Sequence, residues 1–265
     1  MRALPASVAA ILALAASACA GTAGGTAARA ELPAPPAAKP AAKPAVKPLQ
    51  GKVVVVDPGH NGGNYRYPKQ INRKVNVLTK WKACETTGTA DATGYKEATF
   101  AWDVSNRLAK ILREQGATVK LTRNNDNSWG PCITERAAIG NKAGADAAIS
   151  VHADGSAPAN HGFHVIMPKK IGGPVDPVVD DSRELGIAIR DAYRKITGLP
   201  YSTYIGSKAL DFRDDLGGLN LSSVPKVFIE CGNMRNAQEA AKFRDPEFRQ
   251  RIAQALATGL ENYLK

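Results

Sequence analysis

Past residue 20, the 265-residue sequence holds no apolar run approaching the ~18 to 20 residues that a membrane-spanning helix requires. A transmembrane anchor within the folded part is therefore excluded. No concentrated Lys/Arg run with interleaved aromatics occurs, which argues against a nucleic-acid-binding surface. No internal repeat is visible, which removes the repeat architectures. Cysteine and histidine are both scarce, at four residues each, so every one can be weighed singly. What is in excess is positive charge: 35 Lys and Arg against 24 Asp and Glu give a formal net charge of +11.

The first fifty residues differ from the remainder. Met1 to Ala20 carries Arg2, then an uncharged Ala/Leu/Val/Ile stretch, and small residues follow up to Ala28-Arg29-Ala30. This pattern is that of a secretory signal peptide spanning residues 1–30. Ala20 and Ala30 both present cleavage sites, of which Ala30 is favoured. A lipid on Cys19 is the less favoured alternative, because Ala16-Ser17-Ala18-Cys19 has Ala where such signals usually carry Leu. Residues 31–50 repeat an Ala-Lys-Pro unit, which predicts an extended, semi-rigid linker. Residues 51–265 are then expected to form one catalytic domain. Residues 1–30 contain Arg2 and Arg29 and no acid, so the exported chain keeps a charge of +9. Its partners are expected to be anionic, wall polymers more than nucleic acid. It would retain Cys84, Cys132 and Cys231. The first two fall in loops that would sit at the surface, and the third follows an apolar strand where a buried thiol is ordinary.

A β-branched run, Lys52 to Val56, ends at Asp57-Pro58-Gly59, which predicts a buried strand stopping at a turn. From Lys96 the apolar residues Phe100, Val104, Leu108, Ile111 and Leu112 recur at helical spacing until Gly116. Strands are expected at 117–122, 145–151, 163–167 and 226–229, and helices at 133–143, 182–197 and 246–264. Strands alternate with helices. The fold class is therefore α/β, a single domain with a twisted, mostly parallel sheet and helices on both faces.

In such sheets ligands gather at the carboxyl ends of strands, where His60, His152 and Glu230 all fall. A lone His after a strand is ordinarily a hydrogen-bonded structural residue, and Glu97 alone is a first-turn acid complementing the helix dipole. Together they change the reading. Two His and one Glu hold a catalytic zinc while leaving a position for water, and the second Glu can serve as base. His60, Glu97 and His152 are thus the expected metal ligands, and Glu230 the catalytic base. The rival reading for Glu230 is a buried acid tied to Arg136 or Arg235. His161 and His164 are taken as non-ligands, and Asp57 as the residue that shapes the turn before His60 or orients its ring. Asp154 has the same two options, or caps the loop.

These stretches resemble the zinc-dependent N-acetylmuramoyl-L-alanine amidases of bacteria. The matching segments are Val54-Val55-Val56-Asp57-Pro58-Gly59-His60, Glu97 at the head of a helix, Leu121-Thr122-Arg123, Glu135-Arg136-Ala137, Ile149-Ser150-Val151-His152-Ala153-Asp154 and Pro225 to Asn236. The stretch around Trp129-Gly130-Pro131-Cys132 looks like the compact, disulfide-bearing mycobacterial members. The resemblance implies a single Zn2+ on His60, Glu97 and His152, Glu230 as base, a Cys84–Cys132 bridge, and a peptidoglycan or muropeptide substrate. Cys231-Gly232-Asn233 departs from the Gly-Phe pair that many relatives carry after the catalytic Glu. Two other readings stay open: a zinc peptidase cutting within the stem peptide, and a wall-binding protein without catalysis. A monomer acting in the periplasm or cell wall is expected.

Overall fold

Strand β1 (Val53–Pro58) sets the architecture through its alternation: Val54 and Val56 enter a large core, while Val55 enters a smaller one on the opposite face. This computed structural model describes residues 46–265, so the expected signal peptide and residues 31–45 of the expected linker lie outside the described residues. The linker's last residues do not behave as linker. Leu49 is fully buried in the large core, and its N–H donates to Gln115 O at 2.9 Å. The Pro/Lys-rich composition hid one apolar residue that packs.

The remaining strands are β2 (Lys74–Asn76), β3 (Trp81–Ala83), β4 (Thr118–Leu121), β5 (Ala147–Asp154), β6 (His164–Pro168), β7 (Leu210–Arg213) and β8 (Lys226–Asn233). Six of them form one sheet in the order β4-β1-β5-β8-β6-β7. Strands β4, β1, β5 and β8 run parallel, whereas β6 lies antiparallel to β8 and β7 parallel to β6. The sheet is mostly parallel, as the alternation of elements predicts. The helices are α1 (Pro68–Ile71), α2 (Glu97–Glu114), α3 (Ile133–Ala143), α4 (Val179–Thr197), α5 (Gly217–Asn220), α6 (Ala237–Arg244) and α7 (Pro246–Leu264). Helices α2, α4 and α7 cover one face around the larger core, where Leu108, Ile189, Leu256 and Phe243 are fully buried. The other face meets α3 through Ile139 and Ala143.

The hairpin β2–β3, strand β7 and the short helices α5 and α6 were not anticipated from sequence. Cys84 and Cys132 are disulfide-bonded, as the resemblance implies. They are not surface residues, however: both are fully buried, with Ile133 N–H donating to Cys84 O at 2.8 Å. Among the described residues no helix is long and apolar enough to cross a membrane.

The strand phase also decides where polar groups go. Ile149, Val151, Val227 and Ile229 point into the large core. Their neighbours Ser150, His152, Phe228 and Glu230 therefore face the other side, at the carboxyl ends of β5 and β8.

Candidate metal centre

His60 follows β1 and is held with a left-handed φ of 56°. Such a backbone is costly for a residue with a side chain and persists only where its surroundings impose it. Two buried arginines supply that restraint. Arg136 Nη1 donates to Pro58 O at 2.7 Å and its Nη2 to His60 O at 2.8 Å. Arg123 Nε donates to Pro58 O at 3.0 Å, and its Nη2 to Ala98 O at 2.9 Å, tying the turn to α2. Gly59 is needed for a different reason: a Cβ there would lie 2.4 Å from His152 Cε1.

Beneath this turn, Asp57 is almost fully buried. It accepts from Thr122 Oγ1 at 2.6 Å, Arg136 Nη1 at 2.7 Å, Ser150 Oγ at 2.5 Å and Lys226 Nζ at 3.1 Å. Burial raises its pKa, but the Lys226 and Arg136 charges and the two hydroxyls outweigh burial and hold the carboxyl well below the usual range. Asp57 thus acts on His60 through Arg136 and the turn, and does not touch the ring. Arg136 also meets Glu85 Oε2 at 2.7 Å, which excludes it as the partner suggested for Glu230.

Glu97 opens α2 and brings the histidines together. Its Oε1 lies 3.1 Å from His60 Nε2 and 2.9 Å from His152 Nδ1. The two imidazole rings meet edge to face, with centroids 4.9 Å apart. Candidate ligand atoms of all three residues lie within 4.8 Å of one another, and among the described residues they are the group suited to a metal ion. His60 Nδ1 lies 3.1 Å from both Thr86 O and Thr86 Oγ1, and the carbonyl, which can only accept, favours a proton on Nδ1 that would free Nε2 for an ion at the centre. Glu97 Oε2 accepts from Thr89 N–H at 3.0 Å, and His152 stacks on Phe228 at 5.3 Å.

The electrostatics are those of buried acids and bases that share protons. Burial depresses the His60 pKa, but the Glu97 charge and hydrogen bond raise it to about 9. Burial raises Glu97, yet the two histidines hold it below the usual carboxylate range. A cation can replace the protons shared by these groups.

Glu230 sits beside this cluster, opposite His152 in the β5–β8 register. Its Oε2 is sealed from solvent with no hydrogen-bond partner. Burial, then the charges of Glu97 and Asp154, push its pKa well above the usual carboxylate value, against the pull of Arg213. It lines a cleft of about 480 Å3 together with His60, Glu97, His152, Arg213 and Phe228. Asp154 accepts from the Tyr204 hydroxyl at 2.9 Å and from Gly155 N–H at 2.6 Å, so it ties down its loop at the cleft edge. His161 and His164 are not members of the metal-suited group.

The sequence from residue 54 to 262 matches the family model described as N-acetylmuramoyl-L-alanine amidase. The chain belongs to this amidase family. It is 38% identical over 219 residues to an N-acetylmuramoyl-L-alanine amidase of Mycobacterium tuberculosis, covering 82% of this chain and 88% of that one. It is similar to the crystal structure of the amidase Ami1 from Mycobacterium smegmatis, with a TM-score of 0.77 and 38% identity over 82% of this chain and 98% of the other. The apo Ami1 of Mycobacterium abscessus gives 0.76 and 40% over 82% and 100%.

Within this amidase framework, the four residues singled out from sequence line one cleft, but what supports them was not read. Arg123, Ser150 and Lys226 entered only as parts of matching segments, and Arg136 otherwise only as a possible partner for Glu230. The available signal was a Lys heading the apolar strand Lys226–Ile229, a charge that must be paired if buried.

Proposed function

We propose that this protein is a zinc-dependent amidase that cuts the bond between the lactyl group of N-acetylmuramic acid and the L-alanine of the peptidoglycan stem peptide. The observation that carries the reading is the convergence of two imidazole nitrogens on one carboxylate oxygen, with a second carboxylate one strand away. His60 Nε2, His152 Nδ1 and Glu97 would hold the ion, a two-His, one-Glu set that suits zinc and leaves a position open. When bound, zinc supplies a Lewis acid for the scissile carbonyl and brings the pKa of a water toward neutrality. Glu230 would take a proton from the water that attacks the carbonyl carbon. It then returns the proton to the alanine nitrogen as the C–N bond breaks. A carboxylate pushed upward by burial is suited to both halves of that exchange.

The same proposal covers the chain's setting. Residues 1–30 act as a signal peptide, 31–50 as a linker with its last residues docked, and 51–265 as the catalytic domain. The exported enzyme works as a monomer in the periplasm or cell wall, drawn by its positive charge to anionic polymers.

The test is incubation of residues 31–265 with a defined muramyl peptide, with and without chelator, followed by mass spectrometry. Release of an intact peptide with a free L-alanine amino terminus, abolished by chelator and restored by zinc, is expected. A cut inside the peptide would make the enzyme a peptidase. No cut with zinc bound would move the assignment to wall binding.

A further inference from the structure

Glu230 is bounded on its far side by β6, where the antiparallel register sets His164 directly opposite it. The two side chains share a face. Val165 and Ile229 point into the large core, and the next pair along, Ile166 and Phe228, both line the cleft. Directly opposed residues on one face have Cβ atoms roughly 4.5 to 5.5 Å apart, close enough for one water to join the two side chains, which do not bond each other directly. His152, Glu230 and His164 thus form one row across β5, β8 and β6.

Two members of that row carry a polar atom that is sealed from water and has no partner: Glu230 Oε2 and His164 Nδ1. Native structures leave few such atoms, and each asks for an explanation. Here the two orphans are complementary. A carboxylate oxygen accepts, a neutral imidazole has one N–H to give, and burial lowers the His164 pKa so that the ring is neutral. His164 is 2% exposed, and it takes no place in the metal-suited cluster. A third orphan, Asp211 Oδ2, lies one row away opposite Ile166 and is the competing acceptor.

We propose that His164 is a positioning residue for Glu230. Its Nδ1–H supplies, through one bridging water, the hydrogen bond that Glu230 Oε2 lacks, and so keeps the second oxygen turned toward the cleft. The inference rests on Glu230 being the base, and its test separates the two claims.

Three variants are compared at full zinc content, with Tm recorded: His164→Leu, which keeps bulk and loses the donor; His164→Asn, whose amide nitrogen falls near the Nδ1 position; and Glu230→Gln. Loss of a donor to a carboxylate predicts a kcat about ten- to a hundredfold lower in His164→Leu with KM unchanged, and near wild-type kcat in His164→Asn. A merely structural His164 would not give that split and rescue. In parallel, the His164 ring N–H is followed by NMR in metal-free protein. Its resonance is expected to move in Glu230→Gln and to stay in Asp211→Asn. An inactive Glu230→Gln alongside a fully active His164→Leu would overturn the proposal, as would a ring signal that follows Asp211 instead of Glu230. An active Glu230→Gln would refute the base assignment, while the ring signal still decides whether the two side chains are joined.

Discussion

Replacing Asp57 by Asn keeps the shape of a side chain that is 1% exposed but removes the charge facing Arg136 at 2.7 Å and Lys226 at 3.1 Å. Glu85, 2.7 Å from Arg136, still offsets one cation, so one buried positive charge is left uncompensated. Breaking a buried pair from one side costs about 3–5 kcal/mol. In a domain of this size, with ~2–4 °C of Tm per kcal/mol, a fall of at least about 6 °C follows. The pH dependence carries a sign. The folded Asp57 carboxyl titrates below its unfolded value, so its contribution is fully present above about pH 4. It is lost as pH falls further through the folded pKa. Denaturant unfolding of wild type and Asp57→Asn between pH 7 and pH 3 should therefore give a gap that is constant down to about pH 4 and narrows below it. A gap under about 1 kcal/mol at pH 7, in the range of an exposed pair, would refute the reasoning. So would a gap that does not change with pH.

Other outcomes follow from the same structure. Glu230→Gln should bind zinc as wild type does and lose about 10²- to 10⁴-fold in kcat, checked by metal analysis and single-turnover kinetics. Gly59→Ala should stay folded but lose metal affinity, because its methyl group would press on the His152 ring that the cluster needs; circular dichroism and zinc titration separate these effects. In metal-free protein the His60 pKa is raised from 6.5 to about 9, so its contribution to stability is full below 6.5 and lost as pH rises through 9. A metal must displace that proton, so calorimetry in buffers of different ionisation enthalpy should detect proton release on zinc binding at pH 7, and affinity should rise toward pH 9. Denatured, unreduced residues 31–265 should alkylate at one thiol, Cys231, and at three after reduction.

Much of the fold was legible because its signals are local. Helix α2 could be read from Phe100, Val104, Leu108 and Leu112 at helical spacing, and β1 and β5 from short β-branched runs. The hairpin β2–β3 and strand β7 could not, since these are three- or four-residue strands, half exposed and too short for any alternation to stand out. The four chemical groups were legible because strand ends and a helix start place them. Their support was not. Asp57, Ser150 and Lys226 meet because three strands share a phase and a register, and Arg136 joins them from α3, a coincidence that no single segment records. The row that pairs His164 with Glu230 is of the same kind, as it depends on β6 running antiparallel in an otherwise parallel region.

The most direct test of the central claim is a crystal of the active, zinc-loaded protein measured at the zinc absorption edge. One anomalous peak is predicted, within about 2.0–2.2 Å of His60 Nε2, His152 Nδ1 and a Glu97 oxygen, with Glu230 close by but not bound. A peak held by other residues, or full amidase activity in crystals with no peak between these three, would contradict the account.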